Sequence, residues 1–319
     1  MRNLLSVFCI VIVAFSCNQK NNLPTIGFVD AFEDNSLLQA KKGFLDALSK
    51  NGYSEEKKTI NFLYRNAQGS TPAITQIVQY FKSKSVDCIA TCPTISTTAA
   101  LQQTSTIPVF MMVSPTPDLM NYSGKNKIPK NLFGIAENQD YIDTSLLLIK
   151  KLITTKAFPK VGVIFNQSEP QSAAAITRLR STAKLNNIEL AILPVTTSAE
   201  ALLVTQSLLS QNIDAFFAMP DNIVFSSFET IVNACDKRNV PVFTSESGLV
   251  ERGAVAAYGT DLYNWGFECG EQVSIFLKEK STVNLKWALV KNRKKMYNPK
   301  AASRFNIQMP SDYTAIKNN

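Results

Sequence analysis

Two acidic residues stand where an apolar run gives way to small polar side chains. Residues 214–219 run into Pro220-Asp221-Asn222, and residues 240–244 run into Ser245-Glu246-Ser247. Carboxylates at neighbouring strand ends could act as acid and base across a scissile bond, or receive the positive end of a ligand. The rest of the chain speaks against the first use. It contains no histidine, so the commonest general base and metal ligand is missing. No GxGxxG, Walker A, GxSxG or HExxH pattern occurs either. An exported hydrolase would need a nucleophile–base pair that these residues do not supply. The expectation is therefore a binding protein rather than an enzyme, with no cofactor and no metal. Cys88 and Cys92, if extended, lie roughly 13 Å apart, too far for a disulfide. Cys88, Cys235 and Cys269 read as buried thiols.

A ligand carrying both an ammonium and a carboxylate needs matched partners when it leaves water. Glu246 and Asp221 are the first candidates for the ammonium, with Asn222 beside them and Asp261 third. For the carboxylate, the chain offers hydroxyls and free backbone N–H groups where a helix begins at Thr94, Ile95 and Ser96. Ser168 with the Asn166 amide is a second donor set, and Ser114 ends another strand. Plainer roles compete at each position. Asp221 can simply cap the helix that follows, Glu246 can pair with Arg252, and Thr94 or Ser96 can cap its own helix. Phe32, Ile95 and Phe165 stand at or near strand ends and could line an apolar pocket, although core packing is the simpler account of Phe165.

These residues must be placed by the elements between them. Apolar positions Val224, Phe225, Phe228, Ile231, Val232 and Cys235 follow a helical period between two apolar strands, and 253–257 reads as a third strand. Strand–helix–strand alternation is the grammar of a parallel sheet, whose ligands sit at the carboxyl ends of its strands. The same alternation fills the first half. Strands are expected at 25–30, 59–64, 86–91 and 108–113, with helices at 36–50, 71–84 and from 93 onward. After a strand at 132–136 it starts again, with strands at 161–165 and 188–194 and helices at 144–153, 171–185 and 199–210. The chain thus encodes two α/β lobes without sequence identity between them.

The N-terminus has a different composition. Arg2 precedes an apolar run from Leu4 to Phe15, too short to span a bilayer that needs about 20 residues but suited to a secretory signal. Ala14-Phe15-Ser16-Cys17 resembles a lipobox, which makes Cys17 the expected lipidation site and the lipid a tether to a membrane. The formal net charge of +8 is spread along the chain, densest at Lys291-Asn292-Arg293-Lys294-Lys295. Without interleaved aromatic residues this cluster reads as a solvated loop, and no nucleic-acid partner is expected.

The order x-P-D-N, helix, V-P-V-F-T-S-E, then V-E-R-G-A-V-A-A-Y-G-T-D-L-Y resembles the substrate-binding lipoproteins of ABC transporters, in the subgroup that includes tryptophan- and tyrosine-binding members. The likeness runs from about residue 25 to 276. It departs at Asp34-Asn35, where relatives often carry His-Pro, and at Ser114-Pro115, where they often carry Thr-Asp. The resemblance implies the type I periplasmic-binding architecture: two Rossmann-like lobes with parallel sheets joined by a three-segment hinge. Lobe 1 would comprise 24–136 plus 262–282, and lobe 2 would comprise 137–261 plus 283–319, with 1–17 as the signal. It further implies an extracytoplasmic monomer that captures a small ligand, an aromatic or branched aliphatic amino acid, and delivers it to an ABC permease with its ATPase. A sensor that presents its closed form to a membrane receptor would share every one of these features; neighbouring genes would separate the two. A sugar-responsive transcription factor of the same fold is disfavoured by the signal and by the lack of a DNA-binding helix pair.

Overall fold

A computed structural model describes residues 23–122, 127–154 and 156–317. The expected signal at 1–17 and lipidated Cys17 lie outside the described residues. The first sheet is built from β1 (Thr25–Asp30), β2 (Asn61–Asn66), β3 (Cys88–Cys92), β4 (Val109–Pro115) and β5 (Leu132–Glu137), with α1 (Asn35–Lys50), α2 (Thr71–Ser83) and α3 (Thr94–Gln103) between strands. The chain then enters a second sheet through α4 (Tyr141–Leu152). There it forms β6 (Lys160–Asn166), α5 (Pro170–Leu185), β7 (Glu189–Val195), α6 (Ala201–Leu209), β8 (Ala215–Ala218), α7 (Asn222–Ser226), α8 (Phe228–Lys237), β9 (Val242–Thr244), α9 (Ser247–Glu251) and β10 (Ala256–Thr260). It returns along α10 (Leu262–Glu279) and β11 (Ala288–Leu289), then crosses again to β12 (Arg293–Tyr297), α11 (Pro299–Arg304) and β13 (Thr314–Ala315).

The strand orders are β11-β5-β4-β3-β1-β2 and β13-β12-β10-β9-β8-β6-β7. Helices cover both faces of each sheet, so β1, β3 and β8 are buried nearly end to end and carry apolar runs rather than alternation. Each sheet has an apolar core on either face, for example Phe28, Phe44 and Phe110 on one side of the first and Ile74, Val78 and Phe81 on the other. These are the two α/β lobes that the alternation predicts, in the type I architecture that the resemblance implies.

Three details differ from the sequence reading. The helix expected across 224–235 is two helices, because Ser227 ends α7 and begins α8. The last crossing falls after β11 rather than near 283, because Ala288 and Leu289 still pair with Ile135 and Ala136 of β5. The basic cluster is not wholly a loop. Lys291 and Asn292 precede β12, but Arg293, Lys294 and Lys295 open it, antiparallel to β10, and pair with Glu137, Asp261 and Asp312.

The returning helix α10 is fixed by glycine. A Cβ on Gly43 would lie 1.9 Å from the Tyr263 carbonyl oxygen, and one on Gly266 would lie 1.8 Å from that of Ala40. Only glycine lets α1 and α10 approach so closely. The crossing that follows β10 is thereby held against the first lobe.

Candidate functional site

The carboxyl ends of both sheets face one another, and a cavity of about 500 Å³, mouth included, lies between them. The first lobe contributes the start of α3, at Pro93 and Thr94, and the end of β4, at Val113 to Pro115. β4 carries a bulge here: Met111 pairs with Gly134 but Ser114 pairs with Ala136. Val113 adopts φ +51° and Gly134 φ +101°. A positive φ on a β-branched residue is strained and collects at functional sites. The bulge re-aims the strand end so that Val113 and Ser114 both line the cavity.

This wall is neutral. Ser114 Oγ lies 3.1 Å from Thr97 Oγ1 and donates to the Met112 carbonyl oxygen at 3.3 Å. The α3 helix has no side-chain cap, since Pro93 occupies its N-cap position. Its first amides are therefore donors of the kind that suits an anion. Ser96 does not share in this, because its buried hydroxyl donates back to the Cys92 carbonyl oxygen at 3.0 Å.

The opposite wall is acidic. Glu169, Asp221 and Glu246 line it from the second lobe, and Glu137 joins them from the first sheet, at the end of β5, where it meets Thr260 and Arg293 of the second. Four donors converge on Asp221: the Asn166 amide at 2.7 Å, the Ser172 hydroxyl at 2.8 Å, and the Ile223 and Val224 amides at 2.9 and 3.2 Å. Asp221 therefore caps α7, and these donors oppose the upward push of burial on its carboxyl. Glu169 accepts from Asn166 Nδ2 at 3.0 Å and from Gln171. Burial and the neighbouring Asp221 charge push it up to about 8. Glu137 accepts from Thr260 and lies 3.0 Å from Arg293 Nη2, off-axis, as an ion pair rather than a hydrogen bond. Burial pushes it up to about 7 against the pull of Arg293.

Glu246 has no such support. It is 1% exposed, and its Oε2 is buried without a hydrogen-bond partner. Burial first, and then the Glu137 charge, push its carboxyl well above the ordinary range. Arg252, the partner that the sequence suggested, goes elsewhere: its Nη1 donates to Asp34 Oδ2 at 2.5 Å and its Nε to Glu229 at 2.7 Å. Close packing places Glu246. A Cβ on Gly259 would lie 1.5 Å from the Ser245 carbonyl oxygen, so β10 seats the strand end that carries this acid.

Tyr141, Phe225 and Trp265 supply the apolar part of the lining, with Trp265 Nε1 donating to the Ile135 carbonyl oxygen at 2.7 Å. A second, outer space of about 810 Å³, mouth included, adjoins the first. Phe32, Ile95, Asn166 and Ile223 line it, and it shares Glu169 and Asn222 with the inner cavity. Phe32 packs against the cores of both lobes, and the Arg252–Asp34 pair joins the start of α1 to the end of α9. The lobes are thus in contact around the cleft.

The candidates from the sequence are therefore divided. Thr94, Ser114, Asp221, Asn222 and Glu246 meet in the inner cavity, while Phe32, Ile95, Asn166 and again Asn222 line the outer one. Asp261 lies apart in a recess beside Lys294, where it caps α10. Ser168 is exposed, its amide bonded to Asn166 Oδ1, and Phe165 packs on the core. Glu137, Glu169, Tyr141, Phe225 and Trp265 were not anticipated. Glu137 follows the same strand-end rule as Glu246, but the strand reaches one residue further than its apolar run. Phe225 was read as part of a core-facing stripe.

Fold and cleft together define a two-lobed protein that encloses a small ligand between parallel sheets. A profile of ABC transporter substrate binding proteins matches residues 25–316. The chain belongs to that family. A tyrosine-binding protein from Clostridioides difficile (strain R20291) is 34% identical over 268 residues, covering 83% of this chain and 75% of that one. An ABC domain from Streptococcus pneumonia solved in complex with L-Trp superposes with a TM-score of 0.81 at 21% identity, over 91% of this chain and 96% of that one. A ligand-free, open substrate binding protein with adhesive properties from Clostridium difficile gives 0.68 at 26% identity, over 93% and 100%.

Proposed function

We propose that this chain is the extracytoplasmic solute-binding component of an ABC import system and that it captures an aromatic or branched aliphatic amino acid between its lobes. The cleft carries this reading: an unpartnered buried Glu246 on one wall faces neutral donors on the other, with Tyr141, Phe225 and Trp265 around them. Glu246 receives the ammonium and ionises as it does so. Thr94, Ser114 and the start of α3 hold the carboxylate. Ligand that touches both walls favours the closed form, a population shift set by its contacts with the two lobes. The 34% identical tyrosine-binding protein supports the ligand class. Cys17 would anchor the chain to a membrane, and an ABC permease with its ATPase would receive the ligand. No helix of the described residues is long and apolar enough to cross a membrane.

Thermal melting of the chain from Asn18 onward, with each amino acid and with sugar and nucleoside controls, tests this. A ligand at a hundredfold over its dissociation constant stabilises by about 2.7 kcal/mol. The melting temperature should rise with Trp, Tyr, Phe or a branched aliphatic amino acid. The rise should shrink in Glu246→Gln, because a hydrogen bond to a charged group contributes about 1.5–3 kcal/mol. A shift with sugars or nucleosides alone would overturn the amino-acid reading.

A further inference from the structure

We propose that the site selects its ligand as a primary ammonium on an apolar tail, and that a carboxylate on the ligand is dispensable. This rests on the reading that the inner cavity is the ligand site. The two ends of an amino acid are not treated alike there. Four carboxyl groups line the cavity, and among the described residues that line it there is no Lys or Arg. The cations whose charge reaches the lining are already paired, Arg293 with Glu137 and Arg178 with Asp140 and Asp143.

Three of the four acids have partners within the protein. Asp221 has four donors, Glu169 has two amides, and Glu137 has Thr260 and Arg293. Glu137 Oε1 also lacks a hydrogen bond but has the Arg293 charge beside it, whereas Glu246, 1% exposed on the cavity wall, keeps a buried oxygen with neither a hydrogen bond nor an ion pair among the described residues. Leaving a buried acceptor unpaired is costly, and an ammonium supplies both the missing donor and the missing charge. When it binds, the proton held by Glu246 leaves to solvent and the carboxylate pairs with the ligand.

A ligand carboxylate finds only neutral donors. Ser114 already shares its hydroxyl with Thr97 and Met112, and the side-chain amides of Asn138, Gln139 and Gln171 donate within the protein, which leaves Thr94, Asn222 and the uncapped start of α3. An anion buried without a cationic partner is penalised, here within a cavity that holds four acids. Removing it from the ligand forfeits a few neutral hydrogen bonds but also removes that burial cost and repulsion. The tail meets Tyr141, Phe225 and Trp265 whether or not the carboxylate is present. Arylalkyl and branched alkyl amines are therefore ligands of this site beside the amino acids that share their tails.

Calorimetric titration of the chain from Asn18 onward with tyrosine, tyramine and 3-(4-hydroxyphenyl)propionate separates the two ends. The tryptophan–tryptamine and leucine–isoamylamine pairs extend the test. The expected result is an amine that binds within about tenfold of its amino acid, or tighter, and a propionate at least about a hundredfold weaker. Glu246→Gln, checked for folding by circular dichroism, should weaken amine and amino acid alike by about 10- to 150-fold. An amino acid that binds while its amine is a hundredfold weaker overturns the proposal and leaves the amino-acid reading intact. So does a propionate that binds as well as the amine. Failure of all three amino acids and all three amines overturns that reading and the proposal with it.

Discussion

The two walls of the inner cavity are made in different ways. On the first lobe, the wall is a strained bulge and an uncapped helix, and apart from Glu137 at the end of β5 its polar groups are neutral hydroxyls and amides. On the second, it is a row of carboxyl groups set by helix starts and a glycine contact. The first wall is shaped by backbone and the second by charge. Neutral groups can be buried with local hydrogen bonds at little net cost, as Thr97 and Ser114 show. Buried acids cannot, so each has a protein partner or holds a proton, and only Glu246 is left to a ligand. In the proposed reading the acidic wall carries recognition and the neutral wall carries fit.

The largest effect should come from disturbing how the acidic wall is held. Gly259→Ala would place a methyl carbon 1.5 Å from the Ser245 carbonyl oxygen, which forces β9 and β10 apart where Glu246 begins. Overpacking against backbone costs about 1–3 kcal/mol, occasionally more. Denaturant unfolding should show that loss, and ligand binding should fall further than stability does because Glu246 moves. Binding retained at full strength in a folded Gly259→Ala protein would separate Glu246 from recognition and break the contrast between the walls.

Titration of the acids comes next. Glu169 is raised from an ordinary value of 4.5 to about 8, and Glu137 to about 7. An acid raised in the folded state holds its extra proton there. Its stabilising contribution is complete below about 4.5 and is lost as pH rises through the folded value. Glu169→Gln removes this dependence, so the variant should gain stability relative to the parent between pH 5 and 9. The gain should be on the order of 1–2 kcal/mol, discounted because Glu169 keeps some exposure to solvent. Melting curves of both proteins across that range would show it. A stability difference that does not change with pH would mean that Glu169 is already ionised and that solvent reaches this wall.

How far the sequence shows this contrast depends on which wall is read. The alternation of strands and helices was legible because apolar period and length distinguish them, and strand-end acids such as Glu246 and Asp221 follow from the sheet rule. Glu137 escaped because the apolar run stops at Ala136, one residue short of the strand's end. Glu169 was passed over in favour of its neighbour Ser168, since nothing local says which of two adjacent turn residues faces inward. The neutral wall was less legible still. Its bulge depends on Gly134 opposite Met111, a contact between strands that no local pattern records. Val113 reads as an ordinary strand residue although its φ is +51°. The division into inner and outer cavities depends on how the lobes meet, and no spacing along the chain encodes that.

What joins the two walls is Arg252, and removing it should have the smallest effect of the three. Its guanidinium lies at the end of α9 in the second lobe and reaches Asp34 and Ser36 at the start of α1 in the first, while also holding Glu229 and the Phe225 carbonyl oxygen. Asp34 keeps its cap of α1 without it, through the amides of Ser36 and Leu37 on Oδ1 at 2.8 and 3.0 Å, and only Oδ2 loses its partner. Opening the cleft would return Asp34 to water, so Arg252→Ala does not strand a buried charge as a core substitution would. The loss falls on closure rather than on folding. A bias of about 1–2 kcal/mol toward the open form lowers apparent affinity about 5- to 30-fold through the closed fraction. The rate of ligand release should rise, and small-angle scattering of the unliganded variant should show a larger radius of gyration. Unchanged affinity with lowered stability would instead place Arg252 wholly within the second lobe's own packing, through Glu229 and Phe225. The cleft would then close on ligand contacts alone.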